Sequence, residues 1–275
     1  MKAQIIETPV RLHDWFQTPS GRYLLEWEQD QFDQAVADLF GYHALQLGLD
    51  DLDTLRNNRM PHRWLALESP RCGLPADEAE RGPGLDLLCD HAALPFPEHS
   101  LDLVSLPHAL ELNLDPHSTL REVERVLVPE GRVVISGLNP ASLWGLRQQR
   151  AHLCRRLGFG SLYLPDAGEF IAYWRLRDWL RLLGFEVEVV RFGCYRAAVR
   201  SERWLQRLAW MDRAGARWWP ILGAAYFVVA CKRVRGMRPL ANPWKAAPVV
   251  QPASVSVANY HLSATGKERK DDESR

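Results

Sequence analysis

The sequence of 275 residues predicts an α/β fold in which a mostly parallel sheet carries helices on both faces. Two observations support this prediction. Short apolar runs alternate with helical periodicity between residues 41 and 139, a pattern typical of parallel strands joined by helices. The last two apolar runs are separated by a long excursion, and we expect them to pair antiparallel at the edge of the sheet.

Short apolar runs bounded by turn-forming residues are assigned to strands. The predicted strands are 42–47, 63–70, 85–90, 101–110, 132–139, 185–190 and 224–234. The clearest helix follows Asp115, which can cap it, and Pro116, which suits its first turn. Other helices are expected before Gly41, in the polar segment between the first two strands, and over 142–157, 170–183 and 201–215.

The composition, 47% hydrophobic and 25% charged, is that of a globular protein with one substantial core. We predict an N-terminal arm and helix over 1–40 and a sheet domain over 41–236. An insertion at about 140–170 follows the fifth strand. Residues 237–275 have no sustained period and are expected to form a disordered tail.

Five scattered cysteines without a C-x-x-C motif predict neither a metal site nor disulfides. The first residues lack the apolar run of a signal peptide, so a cytoplasmic location is expected. The apolar stretch 218–231 is shorter than the ~20 residues of a membrane-spanning helix. Because it contains Pro220 and Gly223, we interpret it as a turn followed by a buried strand.

Charge and aromatic residues are unevenly distributed along the chain. Acidic residues predominate in the first half and arginines in the second, although the net charge is zero. An anionic partner is one interpretation, and solvated arginine-rich helices are the favoured one. Most of the eleven tryptophans follow residue 140, several beside arginine; helix packing is favoured over nucleic acid binding for them. The oligomeric state is left open.

Ligands of open α/β sheets bind outside the carboxyl ends of the strands. That rule selects Gly48, Glu68 and Asp90 after the first three predicted strands. It also selects the end of the fourth strand, from Leu106 to His108, and Asn139 after the fifth.

Residues 88–137, LCDHAALPFPEHSLDLVSLPHALELNLDPHSTLREVERVLVPEGRVVISG, resemble the class I S-adenosylmethionine-dependent methyltransferases, and among them the methyltransferase type 11 group. The resemblance rests on the acid after strand three, the LPF connection, the S-x-D-x-V opening of strand four, the leucine-rich helix and the turn before strand five. Weaker similarity extends to about 40–235. It implies a Rossmann-like, seven-stranded sheet, S-adenosylmethionine as cofactor and methyl transfer to a small-molecule or unknown acceptor.

In that family Glu68 would accept from the ribose hydroxyls and Asp90 from the adenine amino group. The glycine-rich motif D-x-G-x-G-x-G is degenerate here. Gln46 replaces the acid, Gly48 keeps the first glycine, and Asp50 and Leu52 replace the others, where their side chains would crowd a nucleoside. The alternative is therefore a non-catalytic, methyltransferase-like scaffold that does not bind the cofactor.

Further positions are candidates for contacts with cofactor or substrate. Arg22, in the N-terminal stretch TPSGRYL, could pair with the cofactor carboxylate, or the stretch could simply begin a helix. His108 is the candidate general base, with a structural histidine as the alternative. The loop GLNPASLWGLR after strand five offers a substrate-binding set: Asn139, Ser142, Trp144 and Arg147.

Overall fold

The computed structural model describes residues 12–68, 86–113, 115–156, 163–164, 170–199 and 201–233. The tail predicted over 237–275 lies outside them. Seven strands form one sheet in the order β3-β2-β1-β4-β5-β7-β6. The strands are β1 His43–Leu47, β2 His62–Leu67, β3 Leu87–Leu88, β4 Leu101–Pro107, β5 Leu127–Leu138, β6 Phe185–Gly193 and β7 Ala225–Lys232.

The direction of the strands confirms the predicted fold class. The strands from β1 to β5 pair in parallel, whereas β7 lies between β5 and β6 and pairs antiparallel with both. The predicted antiparallel pair therefore closes one edge of the sheet, with β6 outermost. Every residue of β7 is buried, and a short 3₁₀ turn, Pro220–Leu222, precedes it, as predicted for the stretch 218–231.

Eight helices are described within these ranges: α1 Leu12–Phe16, α2 Pro19–Val36, α3 Ala109–Leu112, α4 Pro116–Val126, α5 Leu143–Arg156, α6 Tyr173–Leu182, α7 Glu202–Arg207 and α8 Trp210–Trp218. The stretch TPSGRYL begins α2, because the side chain of Thr18 accepts a hydrogen bond from the Gly21 amide and Pro19 occupies the first turn. Asp115 caps α4 as expected, accepting from the amides of His117 and Ser118.

One predicted helix is absent from the described residues, and the predicted bounds of four other elements were wrong. The segment between β1 and β2 forms turns and not a helix. Helix α2 ends at Val36, so Gly41 does not cap it. Gly41 instead allows the side chain of Asp102 to approach the backbone, since a Cβ added at Gly41 would lie 2.5 Å from the Cβ of Asp102. Strand β3 has only two residues, and β4 stops at Pro107, where α3 follows within two residues. Strand β5 begins at Leu127, directly after α4.

Each face of the sheet carries an apolar cluster. Helix α2 contributes Leu24, Phe32 and Val36 to one cluster, where the Phe32 ring meets the ring of Phe227 on β7 edge to face at 5.0 Å. Helices α4 and α6 cover the other face, with residues such as Leu120 and Leu176 fully buried. Because α2 packs on one face and α4 on the other, the carboxyl edge of the sheet lies between these two helices. Within the described ranges, no helix has both the length and the apolarity to cross a membrane.

Gly137 in β5 is a position at which a single methyl group cannot be accommodated. A Cβ there would lie 2.5 Å from the hydroxyl oxygen of Tyr226 and 2.9 Å from Oε1 of Glu111, both buried. We expect Gly137→Ala to lower the free energy of unfolding by about 2–3 kcal/mol, since overpacking forces neighbouring side chains out of position. Urea denaturation checks this, with Gly184→Ala as a milder comparison, because its φ of +83° is strained but its nearest contact is 3.8 Å away. Equal losses in the two variants would contradict the steric explanation.

Candidate functional site

The loop after β1 is held closed by the side chain that replaces the family acid. The Nε2 atom of Gln46 donates to the carbonyls of Leu49 and Leu52, both at 2.7 Å. Its Oε1 atom accepts from the backbone amide of Thr54 at 3.0 Å and from the Thr54 hydroxyl at 2.7 Å. The predicted cofactor contact of Gln46 therefore competes with four internal hydrogen bonds, and we assign this residue to the loop.

Leucines of the same loop are part of the core. Leu49, Leu52 and Leu55 lie in the apolar cluster that contains Phe32 and Val36 of α2, and each is at least nine-tenths buried. The Leu52 side chain lies in the core, so the turn after β1 differs from a glycine-rich loop.

Gly48 retains the role expected of a glycine at this turn. Its φ of +74° is rarely adopted by other residues, and its amide donates to the Ala66 carbonyl of β2 at 2.9 Å. A Cβ at this position would lie 3.2 Å from the Cβ of Ala109 and 3.7 Å from Cε1 of His91. Gly48 therefore lies at the carboxyl edge of the sheet, beside His91 after β3 and Ala109 after β4.

Glu68 and Asp90 follow β2 and β3 and are both exposed. Each carboxylate acts electrostatically on the same buried neighbour, His91. Burial lowers the pKa of His91, and Glu68, the Ala66 carbonyl and Asp90 oppose this effect. Both ring nitrogens of His91 are buried without a hydrogen-bond partner among the described residues. The edge therefore combines two exposed carboxylates, of which Asp90 already accepts from the Ala92 amide through Oδ1 at 2.8 Å, with a buried neutral imidazole beside the Ala66 carbonyl.

His108 lies at the end of β4 in a buried cluster of charges. Its Nδ1 is 2.9 Å from Oε2 of Glu111, and its Nε2 is 3.0 Å from Oε1 of Glu28 on α2. Glu111 also accepts from the amide of Leu138 in β5. The ring of Phe16 covers the imidazole with its centroid 5.8 Å away, and His108 has no exposed surface.

The charges in this cluster oppose the predicted role of His108 as a base. Burial would lower the pKa of His108, but Glu28 and Glu111 outweigh it and raise that pKa to about 10. Burial raises the pKa of Glu111, against the effect of the histidine. An imidazole that is protonated at neutral pH and shielded from solvent cannot accept a proton from a substrate. We therefore assign His108 to the ion-pair cluster that joins α2, β4 and β5.

The loop after β5 uses its polar groups to join segments of the fold. Asn139 donates to the carbonyls of Ile221 and Gly223 at 2.8 and 3.0 Å. Ser142 accepts from the amide of Gly145, and the indole of Trp144 donates to the carbonyl of Arg196 at 2.7 Å. Asn139, Ser142 and Trp144 are buried, so the structure gives them anchoring contacts in place of the predicted substrate surface.

The remaining predicted residues are Arg147, Arg22 and Leu106. Arg147 donates to the carbonyl of Ala198, and its guanidinium lies over the ring of Tyr163 at 4.5 Å. Arg22 is exposed on α2 and lines a hollow of about 260 Å³ between α2 and α7. Leu106 is fully buried in the core on the face of α4. The structure thus groups Gly48, Glu68 and Asp90 at one edge, and the parallel register of β1 with β4 places Leu106 beside Leu47, next to Gly48. Arg22 and Arg147 make their contacts with other segments.

Sequence reasoning missed three residues of the site. His91 follows Asp90 directly after the third strand, and that position at the carboxyl edge was the available signal. Glu28 lies inside a helix, where a glutamate is normally solvated, and nothing local predicts its burial. Glu111 follows His108 by three residues, the spacing of neighbours on a helix.

Comparison with known proteins places the chain in a family. A family model described as a methyltransferase domain matches residues 74–135. The uncharacterized protein YafS of Escherichia coli (strain K12) is 30% identical over 185 residues, which cover 67% of this chain and 70% of YafS. A malonyl-[acyl-carrier protein] O-methyltransferase of Halorhodospira halophila is 31% identical over 106 residues, 38% of this chain and 31% of that enzyme.

Solved structures show the same fold. An S-adenosylmethionine-dependent methyltransferase of Thermotoga maritima superposes with a TM-score of 0.53 at 16% identity, over 80% of this chain and 94% of that one. A second such enzyme, from Archaeoglobus fulgidus, gives a TM-score of 0.50 at 18% identity, over 76% and 94%.

The fold is that of the class I methyltransferases, and residues 74–135 match a methyltransferase domain. By its similarity to YafS, the chain belongs to the same family as that uncharacterized protein.

Proposed function

We propose that this chain transfers the methyl group of S-adenosylmethionine to an acceptor and holds the adenosine half of the cofactor at the carboxyl edge of the sheet. In this proposal Glu68 accepts from the ribose hydroxyls and Asp90 accepts from the adenine amino group. The observation that supports it best is the unpartnered imidazole of His91, buried beside Gly48 and within electrostatic reach of both carboxylates.

These residues fit an adenosine in their chemistry. A buried polar group without a partner costs about 1–3 kcal/mol, so the ring nitrogens of His91 favour a ligand that hydrogen-bonds to them. The lowered pKa keeps His91 neutral near pH 7, with one donor and one acceptor. Gly48 leaves its side of the turn without a side chain, and the two exposed carboxylates are ready acceptors for hydroxyl and amino donors.

The cofactor, when bound, supplies an activated methyl group on a sulfonium. The protein then has to fix the direction of the methyl group relative to the acceptor, and positioning of this kind provides a large part of the acceleration. Glu68 and Asp90 would fix the adenosine, and the closed loop from Gln46 to Thr54 would keep Gly48 in place beside it. No described residue of the buried His108 cluster is assigned a proton transfer.

Calorimetry with S-adenosylhomocysteine tests the proposal through binding alone. We expect micromolar affinity for the wild-type chain and a loss of about 100-fold in Glu68→Ala, because two charge-assisted hydrogen bonds to the ribose are removed. Glu98→Ala is the matched control, since Glu98 is an exposed glutamate in the connection before β4, and it should bind as the wild type does.

Two outcomes would contradict the proposal. Unchanged affinity in Glu68→Ala would refute the ribose assignment. The absence of heat at millimolar ligand with a folded wild-type chain would favour the non-catalytic scaffold that the degenerate glycine motif also allows.

A further inference from the structure

The segment 201–222 carries exposed tryptophans and arginines, and we call these exposed side chains the Trp–Arg surface. The segment comprises α7, α8 and the 3₁₀ turn Pro220–Leu222. Trp204, Trp210 and Trp218 are 56%, 62% and 74% exposed, and Ile221 and Leu222 are 44% and 43% exposed. Large apolar side chains are normally buried, so a cluster of five exposed ones marks an interaction surface.

Four arginines accompany these side chains. Arg203, Arg207, Arg213 and Arg217 are all exposed, and none forms an ion pair with a described residue. Arg207 instead places its guanidinium over the ring of Trp204 at 5.2 Å. The four arginines outnumber the two acidic residues of the segment, Glu202 and Asp212, so the surface keeps a net positive charge.

The tryptophans and arginines of α8 share one broad outer side. At about 100° per residue, Arg217 and Arg213 lie about 20° and 60° to one side of Trp210 around the helix, and Trp218 lies about 80° to the other side. The opposite side of α8 faces the protein, where an added Cβ at the buried Gly215 would lie 2.3 Å from the ring of Tyr195.

The surface is firmly attached to the fold. Asp212 of α8 accepts from the Tyr23 hydroxyl of α2 and pairs with the guanidinium of Arg196 at 2.8 Å. Leu205 of α7 is buried. The outward position of the tryptophans is therefore set by contacts on the inner side of the helices.

We propose that the Trp–Arg surface binds the interface of a membrane containing anionic lipid. Helices that lie in such an interface combine tryptophan and aliphatic side chains, which enter the headgroup region, with basic residues that contact acidic headgroups. Ile221 and Leu222 distinguish a bilayer from a single-stranded nucleic acid, because aliphatic side chains gain nothing from base stacking. Four unpaired arginines also disfavour a second copy of the same surface, since like charges would face each other.

Vesicle flotation with the full chain tests this inference independently of cofactor binding. We expect flotation with vesicles of phosphatidylcholine containing about one-third phosphatidylglycerol at ~0.1 M salt, and weaker flotation with phosphatidylcholine alone or at ~0.5 M salt. Trp210→Ser with Trp218→Ser should weaken partitioning about tenfold or more, and so should Arg213→Gln with Arg217→Gln.

Matched controls use exposed residues elsewhere. Arg59→Gln with Arg121→Gln removes the same charge from the loop before β2 and from α4, and Trp174→Ser removes a 47% exposed ring from α6. Both should float as the wild type does. Failure of the wild type to float, or equal losses in surface and control variants, would overturn the proposal. If the chain binds a single-stranded RNA oligonucleotide and no vesicles, the partner of the surface is a nucleic acid. If it binds no vesicles and self-associates in a way that the tryptophan variant loses, the partner is a second copy of the chain.

Discussion

Gln46→Glu is expected to lower the free energy of unfolding by about 3–5 kcal/mol. The substitution introduces an acid, the residue type that the resembled glycine-rich motif has at this position, yet here it places a carboxylate oxygen 2.7 Å from the carbonyls of Leu49 and Leu52. Two donors are lost, two carbonyls lose their partner, and a charge is buried at a residue that is 4% exposed. Urea denaturation at pH 7 measures the loss.

Gln149→Glu provides the matched control, because Gln149 is exposed on α5 and the same change there should alter stability by less than about 0.5 kcal/mol. If Gln46 holds the loop closed, the free energies of unfolding of the two variants should differ by several kcal/mol. Similar stabilities would mean that Gln46 does not hold the loop in the way described.

His108→Gln is expected to cost about 3–5 kcal/mol, because it leaves the carboxylates of Glu28 and Glu111 buried without a cation. Both glutamates are nine-tenths or more buried, so water cannot replace the lost partner. The triple variant Glu28→Gln, His108→Gln and Glu111→Gln removes all three charges and should recover a large part of the loss. Equal denaturation midpoints for the single variant and the wild type would contradict the ion-pair assignment.

The same cluster predicts how stability depends on pH. The pKa of His108 is raised from 6.5 to about 10 by Glu28 and Glu111, against the opposing effect of burial. Between these values the folded chain binds the proton and the unfolded chain does not, so the stabilisation is complete below pH 6.5 and is lost as the pH rises through about 10. We expect a fall of about 1 kcal/mol per pH unit in this window relative to the triple neutral variant. If the free energies of unfolding of the wild type and the triple variant changed in parallel with pH, the raised pKa of His108 would be contradicted.

The sequence alone predicted the sheet and its helices wherever the signals were local. Apolar runs of strand length gave all seven strands within a few residues, except that β3 is shorter, and the cap of Asp115 placed α4. The resemblance over 88–137 supplied the family, and the carboxyl-end rule supplied Gly48, Glu68 and Asp90 as neighbours at one edge.

The rest of the site depends on contacts between distant residues. In the loop after β1, the Gln46 amide bonds to residues at most eight positions away, but the leucines pack with Phe32 and Val36 of α2, which no local pattern shows. His108 and Glu28 are 80 residues apart. Asn139 acquires its role from carbonyls of Ile221 and Gly223, more than 80 residues later. Polar residues at strand ends predicted a ligand, whereas the fold uses several of them to join its own segments.

A crystal structure of the chain with S-adenosylhomocysteine tests the central claim most directly. We predict adenosine at the carboxyl edge, with the ribose on Glu68, the adenine amino group on Asp90, and a hydrogen bond to His91, while Gln46 keeps its bonds to Leu49 and Leu52. A crystal grown at saturating ligand with this edge empty, or with the ligand bound where the loop has opened, would contradict it.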